Sequence, residues 1–268
     1  MKKVAIVTDS TTDLPVQLYK DYDITVVPLT VSLNEKVYID NGIDIKFKDF
    51  YEMLKLSKEM PRAAQPTPGD FIKVYNNLIA EEKDIISIHI SGKLSGTINS
   101  ANIAARHLNN ESITIMDSEL VHMACGFLAL NAAKIADTGA GRGEIINYIN
   151  NMRKNIYSFF LPKTMENLIK GGRVSKIKGK MANLLEIKPI LTLKEGEVSL
   201  FKNSRKWELA KKEVLDIMER FIKKSGNLTV SVGDVASEYE ADEIKNKIIE
   251  RFNPKTIIRT NIGIVVGS

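Results

Sequence analysis

Ile85-Ile86-Ser87-Ile88-His89-Ile90-Ser91-Gly92-Lys93-Leu94-Ser95-Gly96-Thr97-Ile98 is the stretch whose reading decides the fold. Its first six residues are mostly branched and apolar, which suits a buried strand. Apolar residues then recur at Ile98, Ala101, Ala105 and Leu108, which is helical spacing. The turn between strand and helix, Ser91 to Thr97, is rich in hydroxyls and glycine. Such a junction is an anion site: the first helical turn has free N–H groups, the helix dipole is positive there, and small side chains allow close approach. A carboxylate and a phosphate both satisfy it, and the loop does not choose between them.

Familiar nucleotide and hydrolase motifs do not fit this loop. A phosphate-binding P-loop would need glycine at Ser87 and a hydroxyl at Leu94. Ser91 and Lys93 lack the Ser-x-x-Lys spacing, and Ser95 has no Gly-x-Ser-x-Gly elbow around it. A serine nucleophile also needs a base, and the histidines are His89, His107 and His122. His89 lies within the apolar run and His107 near the helix end, positions that suit core or surface roles. Ser95 and Thr97 also fit simple helix capping. An alternative enzyme reading makes Ser91 to Thr97 the oxyanion or phosphate site of a hydrolase or transferase. It requires a carboxylate or histidine in hydrogen-bond reach of Ser95.

Outward from the loop, strand and helix patterns alternate. Val4 to Val7, Ile24 to Leu29 and Ile113 to Met116 read as strands, with a polar loop after Leu29. Helical runs follow at Lys46 to Leu56, Gly69 to Glu81, Val121 to Ala136 and Arg142 to Lys154. This order predicts a mainly parallel sheet flanked by helices, and thus an α/β domain over residues 1–155. Three of its strands end in Asp9-Ser10, Ser91 to Ser95 and Asp117-Ser118, which places these turns on the carboxyl edge where open sheets bind ligands. Asp and Ser also form turns and caps for purely structural reasons.

A second α/β domain is expected over residues 156–268. Tyr157 to Leu161 reads as a strand and Pro162 to Lys170 as a helix closed by Gly171-Gly172-Arg173. Ile190 to Leu193 and Val198 to Phe201 form a hairpin about Lys194-Glu195-Gly196-Glu197. A helix from Arg205 to Lys223, a strand from Leu228 to Val232 and a helix from Glu238 to Phe252 follow, then strands at Thr256 to Arg259 and Ile264 to Val266.

Composition narrows the function classes. The 268 residues suffice for one large core or two medium ones. The single Cys125, set among apolar residues, excludes an internal disulfide and suits a reducing compartment as a buried, inert thiol. No zinc spacing of Cys and His is present, so no metal is expected. Met1-Lys2-Lys3 runs straight into the first strand, too short for a signal peptide, and no stretch could span a bilayer. A cytoplasmic protein is expected. Residues 1–150 hold 15 Lys/Arg against 19 Asp/Glu, whereas residues 151–268 hold 23 against 14. The basic second half fits an acidic partner or transient contact with an anionic membrane, or makes a basic regulatory protein. Nucleic acid is not expected, since no recognition motif or interleaved aromatics accompany the charge.

Several motifs taken together resemble the DegV family. They are Asp9-Ser10-Thr11-Thr12-Asp13-Leu14-Pro15, Gln65-Pro66-Thr67-Pro68-Gly69-Asp70-Phe71, Ser91 to Ala101, Asp117-Ser118, Gly171-Gly172-Arg173 and Ile262-Gly263-Ile264-Val265-Val266-Gly267. Their order and approximate spacing cover essentially the whole chain. The resemblance implies two α/β domains with a long-chain fatty acid held between them. It further implies a carrier with no catalytic residues and no cofactor, which presents the carboxylate to a fatty acid kinase for acyl-phosphate formation and phospholipid synthesis. Ser95, Gly96 and Thr97 would hold the head group, with Ser91 and Ala63 beside it. Arg173, Arg205 and Lys206 would form the basic surface for the kinase. Phe159, Phe160, Leu161, Ile187, Ile190 and Leu191 are candidates for the tunnel wall, although each also suits an ordinary core. Three positions depart from the family pattern. Ala63-Ala64 stands where the family usually has Thr-Ser, which removes a hydroxyl donor that water, Ser91 or Ser95 would replace. Asn203 stands where arginine is usual, and the sequence runs to Gly267-Ser268 where the family continues into His-Thr-Gly-Pro-Gly.

Overall fold

The computed structural model describes residues 3–174, 188–222 and 227–268. The chain forms two compact units, Met1–Ile156 with Ile262–Ser268, and Tyr157–Asn261. Ile262–Ser268, expected in the second half, thus belongs to the first unit.

In the first unit, β1 (Val4–Asp9), β2 (Ile24–Val27), β3 (Thr30–Leu33), β4 (Lys36–Ile39), β5 (Arg62–Ala64), β6 (Asp84–His89) and β7 (Ile113–Asp117) alternate with six helices. These are α1 (Val16–Asp21), α2 (Phe47–Leu56), α3 (Pro68–Ala80), α4 (Thr97–Leu108), α5 (Met123–Asp137) and α6 (Arg142–Arg153). The main sheet has the order β2-β1-β6-β7 with every pair parallel, as the alternating pattern predicts. Ala5, Val7 and Ile85 pack on Phe71 and Tyr75 of α3 and on Ala101 and Ala104 of α4. The alternate residues Ile6, Ile86 and Ile88 are buried too, so both faces of the sheet are covered. On α5 the small residues permit close approach: a Cβ on Gly126 would lie 2.8 Å from the Thr12 carbonyl oxygen.

Local chemistry explains the helix starts. Thr67 and Asp70 form a reciprocal capping box, with Pro68 in the first turn of α3. The polar loop expected after Leu29 is instead a hairpin, β3 paired antiparallel with β4 across Asn34-Glu35. Both turn residues have positive φ, 50° and 62°, the backbone of a tight hairpin turn that Asn tolerates well. With β5 these strands make a second, antiparallel sheet of order β4-β3-β5. The strand expected at Ile264 to Val266 is a helical turn, α10 (Ile264–Gly267). Its first N–H groups bind carboxylates of the first unit rather than a neighbouring strand.

In the second unit, β8 (Phe159–Phe160), β9 (Lys188–Lys194) and β10 (Glu197–Ser204) form an antiparallel sheet of order β10-β9-β8. The β9–β10 turn falls at Glu195-Gly196, with φ of 53° and 79°, as the glycine predicts. Met165, Val174 and Leu191 form one core with residues of α7 (Glu166–Lys170), and Ile190 forms another with Ala210, Val214 and Ile217 of α8 (Trp207–Phe221). β11 (Thr229–Asp234), α9 (Glu238–Phe252) and β12 (Thr256–Asn261) complete it as a parallel βαβ unit. Among the described residues no helix is long and apolar enough to cross a membrane.

Candidate anion site at the carboxyl edge of the parallel sheet

Parallel pairing brings the carboxyl ends of β1, β6 and β7 side by side, so the three hydroxyl-bearing turns share one edge. Hydrogen bonds tie them together. Asp9 accepts from the N–H groups of Thr11 and Ile90, both at 3.0 Å, and from the Thr11 hydroxyl. Asp117 accepts from the N–H of Gly92 at 3.1 Å and of Glu119 at 2.9 Å. Each carboxylate thus ties its own turn to the end of β6. His89 is a satisfied core histidine, with one ring nitrogen 3.0 Å from Asp9 and the other 2.6 Å from the Ser87 hydroxyl.

The loop between β6 and α4 is folded tightly on Ser91. The Ser91 carbonyl accepts from the N–H of Leu94 at 2.9 Å and of Ser95 at 3.1 Å, and its hydroxyl accepts from the N–H of Lys93. Ser91 itself is fully buried. Gly96 ends the loop as the N-cap of α4, without a side-chain cap. Among the described residues, no acceptor engages the N–H of Gly96 or of Ile98. The N–H of Thr97 leans on Ser95 Oγ at 3.3 Å, and the two hydroxyls lie 2.8 Å apart. Two of the expected head-group donors, Ser95 and Gly96, are therefore half-buried and oriented, whereas Thr97 is buried and turned into the loop. Ile98 joins them as a donor that side-chain reasoning passes over. Among the described residues the printed partner of Ser95 Oγ is Thr97, through its hydroxyl and its N–H.

Gln65 is a further element of the site that local reading misses. Its amide donates to Ser100 Oγ at 3.0 Å and lies over Gly96, where an added Cβ would fall 2.0 Å from Gln65 Oε1. A larger residue there would push the Gln65 amide aside. Ala63, two residues earlier, pairs with Val31 on the exposed strand β5. The expected Ala63 position thus contributes backbone and no side-chain donor.

Beside the loop lies a buried polar cluster. His122 Nδ1 is 2.5 Å from Asp13 Oδ2, and Asp13 Oδ1 accepts the N–H of Gly263 at 2.9 Å. Asp40 accepts from the Ser10 hydroxyl and from the N–H of Ile264, both at 2.9 Å. The Tyr51 hydroxyl bonds the carbonyls of Ile262 and Gly263. Burial raises the Asp13 carboxyl above its ordinary value, against the pull of His122. Burial, and then the neighbouring Asp13, pushes Asp40 up to about 7. Burial likewise pushes the Cys125 thiol up, leaving it inert as expected. His122 has φ 56° and ψ −154°, a backbone region used almost only by glycine. Such strain costs on the order of 1 to 3 kcal/mol.

The remaining expected residues lie in the second unit. Arg173 is exposed and donates to the Gly171 carbonyl at 2.6 Å. Arg205 and Lys206 are exposed at the start of α8, with no ion pair among the described residues. Phe160 and Leu191 pack with Met165 and Val174, and Phe159 and Leu161 pack with Ile190, so these belong to the unit's own cores. Ile187 lies outside the described residues.

The site thus sits in an α/β fold whose open parallel sheet carries helix N-terminal donors and a hydroxyl at its carboxyl edge, the edge where open sheets of this class bind ligands. The chain belongs to the DegV family, whose model, described as that of an uncharacterised protein, matches residues 3–268. It is 34% identical to the DegV domain-containing protein YejH of Lactococcus lactis over 97% of this chain and 94% of that one. Among solved structures it resembles a DegV family protein from Thermus thermophilus described as fatty acid binding. The TM-score is 0.89 and the identity 29%, over 98% of this chain and 94% of the other. It also resembles DegV from Bacillus subtilis, described as a fatty acid binding protein, with TM-score 0.91 and 28% identity over 100% of this chain and 95% of the other.

Proposed function

We propose that this protein binds a long-chain fatty acid, with the carboxylate seated at the start of α4, and presents it to a fatty acid kinase for acyl-phosphate formation. The observation that carries this reading is the pair of uncommitted N–H groups at Gly96 and Ile98 beside the Ser95 hydroxyl. Its support from relatives is the fatty acid binding ascribed to the Thermus and Bacillus proteins. A hydrogen bond to a charged group contributes about 1.5 to 3 kcal/mol, so three donors position a carboxylate firmly. The tail supplies most of the affinity, at about 0.8 kcal/mol for each buried methylene before the costs of ordering. Arg173, Arg205 and Lys206 then serve as the surface met by an acidic kinase partner. No cofactor or metal takes part, and the carrier works in the cytoplasm alongside an ATP-using enzyme.

Mass spectrometry of organic extracts from the purified protein tests the reading directly. A long-chain fatty acid is expected in stoichiometric amount, and Ser95→Ala is expected to weaken palmitate binding about tenfold while retaining the same acyl chains. A protein that yields no acyl chain and fails to bind palmitate in titration contradicts it. Charge reversal at Arg205 and Lys206 is expected to slow acyl-phosphate formation by the kinase without emptying the protein of lipid.

A further inference from the structure

His122 is a group the proposed site has not used. Its Nε2 atom is buried and has no hydrogen-bond partner among the described residues, while its Nδ1 is held against Asp13. Most buried polar atoms are satisfied, and a strained backbone at the same residue is a second departure from the ordinary. Both departures converge on a ring whose orientation is fixed from behind: Asp13 grips Nδ1 with one oxygen and the Gly263 N–H with the other. The His122 loop is joined to the Ser91 loop, through the Ser91 N–H on the Leu120 carbonyl at 2.9 Å and the Gly92 N–H on Asp117. Donors and dyad therefore stand on one edge of one sheet.

We propose that the Asp13–His122 dyad is the proton acceptor of the fatty-acid head group and holds the resulting carboxylate as an ion pair. This rests on the fatty-acid reading above. With an N–H on Nδ1 directed at Asp13, neutral His122 carries a lone pair on Nε2. A carboxylic acid entering from a lipid phase is uncharged. Its O–H bond breaks, the proton passes to Nε2, and the electron pair stays on oxygen. The products are a carboxylate and an imidazolium, the latter stabilised by Asp13 behind it. A carboxylate, and not the acid, is the nucleophile that an acyl-phosphate-forming partner needs, so the dyad prepares the cargo for transfer. The charged or titratable groups that act on this pair are Asp9 at the end of β1, Tyr19 of α1 and Asp40 after β4; Asp117 at the end of β7 and Cys125 of α5 lie one step further, beside Asp9. None of them is a cation, so His122 is the group among them that turns positive on taking a proton and can pair with the carboxylate left behind.

The test uses the full chain with isotope-labelled histidine and palmitate labelled at its carboxyl carbon. Nitrogen NMR is expected to show His122 Nε2 passing from unprotonated to protonated when palmitate is added, and staying unprotonated with hexadecanol, which has no acidic proton. Carbon NMR is expected to show the bound carboxyl titrating about one pH unit higher or more in His122→Phe and in His122→Gln than in the wild type. Both variants are read at saturating palmitate, so that the titration reports on loaded protein. An Nε2 signal indifferent to palmitate in loaded wild type overturns the proposal, as does an unchanged carboxyl titration in loaded variants. The nitrogen measurement needs no variant, so poor folding of His122→Phe does not spoil it. Wild type that takes up no palmitate removes the fatty-acid reading itself, and the dyad's role with it.

Discussion

The two units of this protein handle polar groups in opposite ways. In the first, Thr8, Asp9, Ser10, Thr11, Thr12, Asp13, Asp40, Ser87, His89, Ser91, Thr97, Ser100 and Ser118 are buried, and most of them cluster at the carboxyl edge of the parallel sheet. In the second, charges lie mostly on the surface as ion pairs. Arg251 bridges Asp216 and Glu219, Lys247 pairs with Glu243, and Lys163 with Glu240. Lys211, held by Glu208 and Glu243, and Asp234, paired with Arg259, are buried exceptions among the described residues. Buried polar groups demand matched partners, and loss of one partner leaves the other uncompensated. Exposed pairs are loosely coupled and screened by salt. The first unit is thus built to hold precise geometry, and the second to present charge.

The largest effect that follows is at Gly263. A Cβ there would lie 2.6 Å from both Asp13 Oδ1 and Asp40 Oδ1, so Gly263→Ala displaces the two carboxylates that grip the 262–268 segment. Urea unfolding should show a loss of about 2 to 3 kcal/mol. A variant as stable as wild type would mean that the polar cluster is far softer than its hydrogen bonds imply.

The next effect is on pH dependence. Asp40 titrates at about 7, above its ordinary value of 3.8, because burial and Asp13 disfavour its charge. The folded state therefore holds this proton more tightly than the unfolded chain. Its contribution to stability is fully present below the unfolded value and is lost as pH rises through about 7. Melting temperature measured from acid to neutral pH should fall over this window in wild type and fall less in Asp40→Asn. Parallel curves for the two proteins would sever the link between Asp40 and the slope. Asp13, raised in the same direction, leaves a residual slope in the variant.

The smallest effect belongs to the second unit. Arg251→Ala breaks two exposed pairs, and its unfolding midpoint should shift only slightly, with the difference fading in high salt. A loss comparable with that of Gly263→Ala would erase the contrast between the units.

Local pattern accounts for what was legible beforehand. The apolar run before Ser91 and the spacing after Gly96 place β6 and α4, because burial period and turn chemistry are properties of neighbouring residues. The Glu195-Gly196 turn is equally plain in the sequence, whereas Asn34-Glu35 lacks the glycine that marks such hairpins, so local pattern gives a loop where β3 and β4 pair. Ile264-Val265-Val266 has strand composition, but the carboxylates of Asp13 and Asp40 capture the backbone at its start and turn it into helix. Tertiary contact overrode propensity there. His122 and Asp13 are 109 residues apart, and Gln65 covers a glycine 31 positions later, so no periodicity or spacing announces either partnership. The start of α4 follows from local pattern, whereas the groups surrounding it come from other elements of the fold.

Backbone amide NMR during titration with palmitate tests the central claim most directly. The N–H signals of Gly96 and Ile98 should move strongly downfield and saturate at one equivalent, as expected for donors newly bonded to a carboxylate. Full loading of the protein with both signals unmoved would place the head group elsewhere and contradict the account.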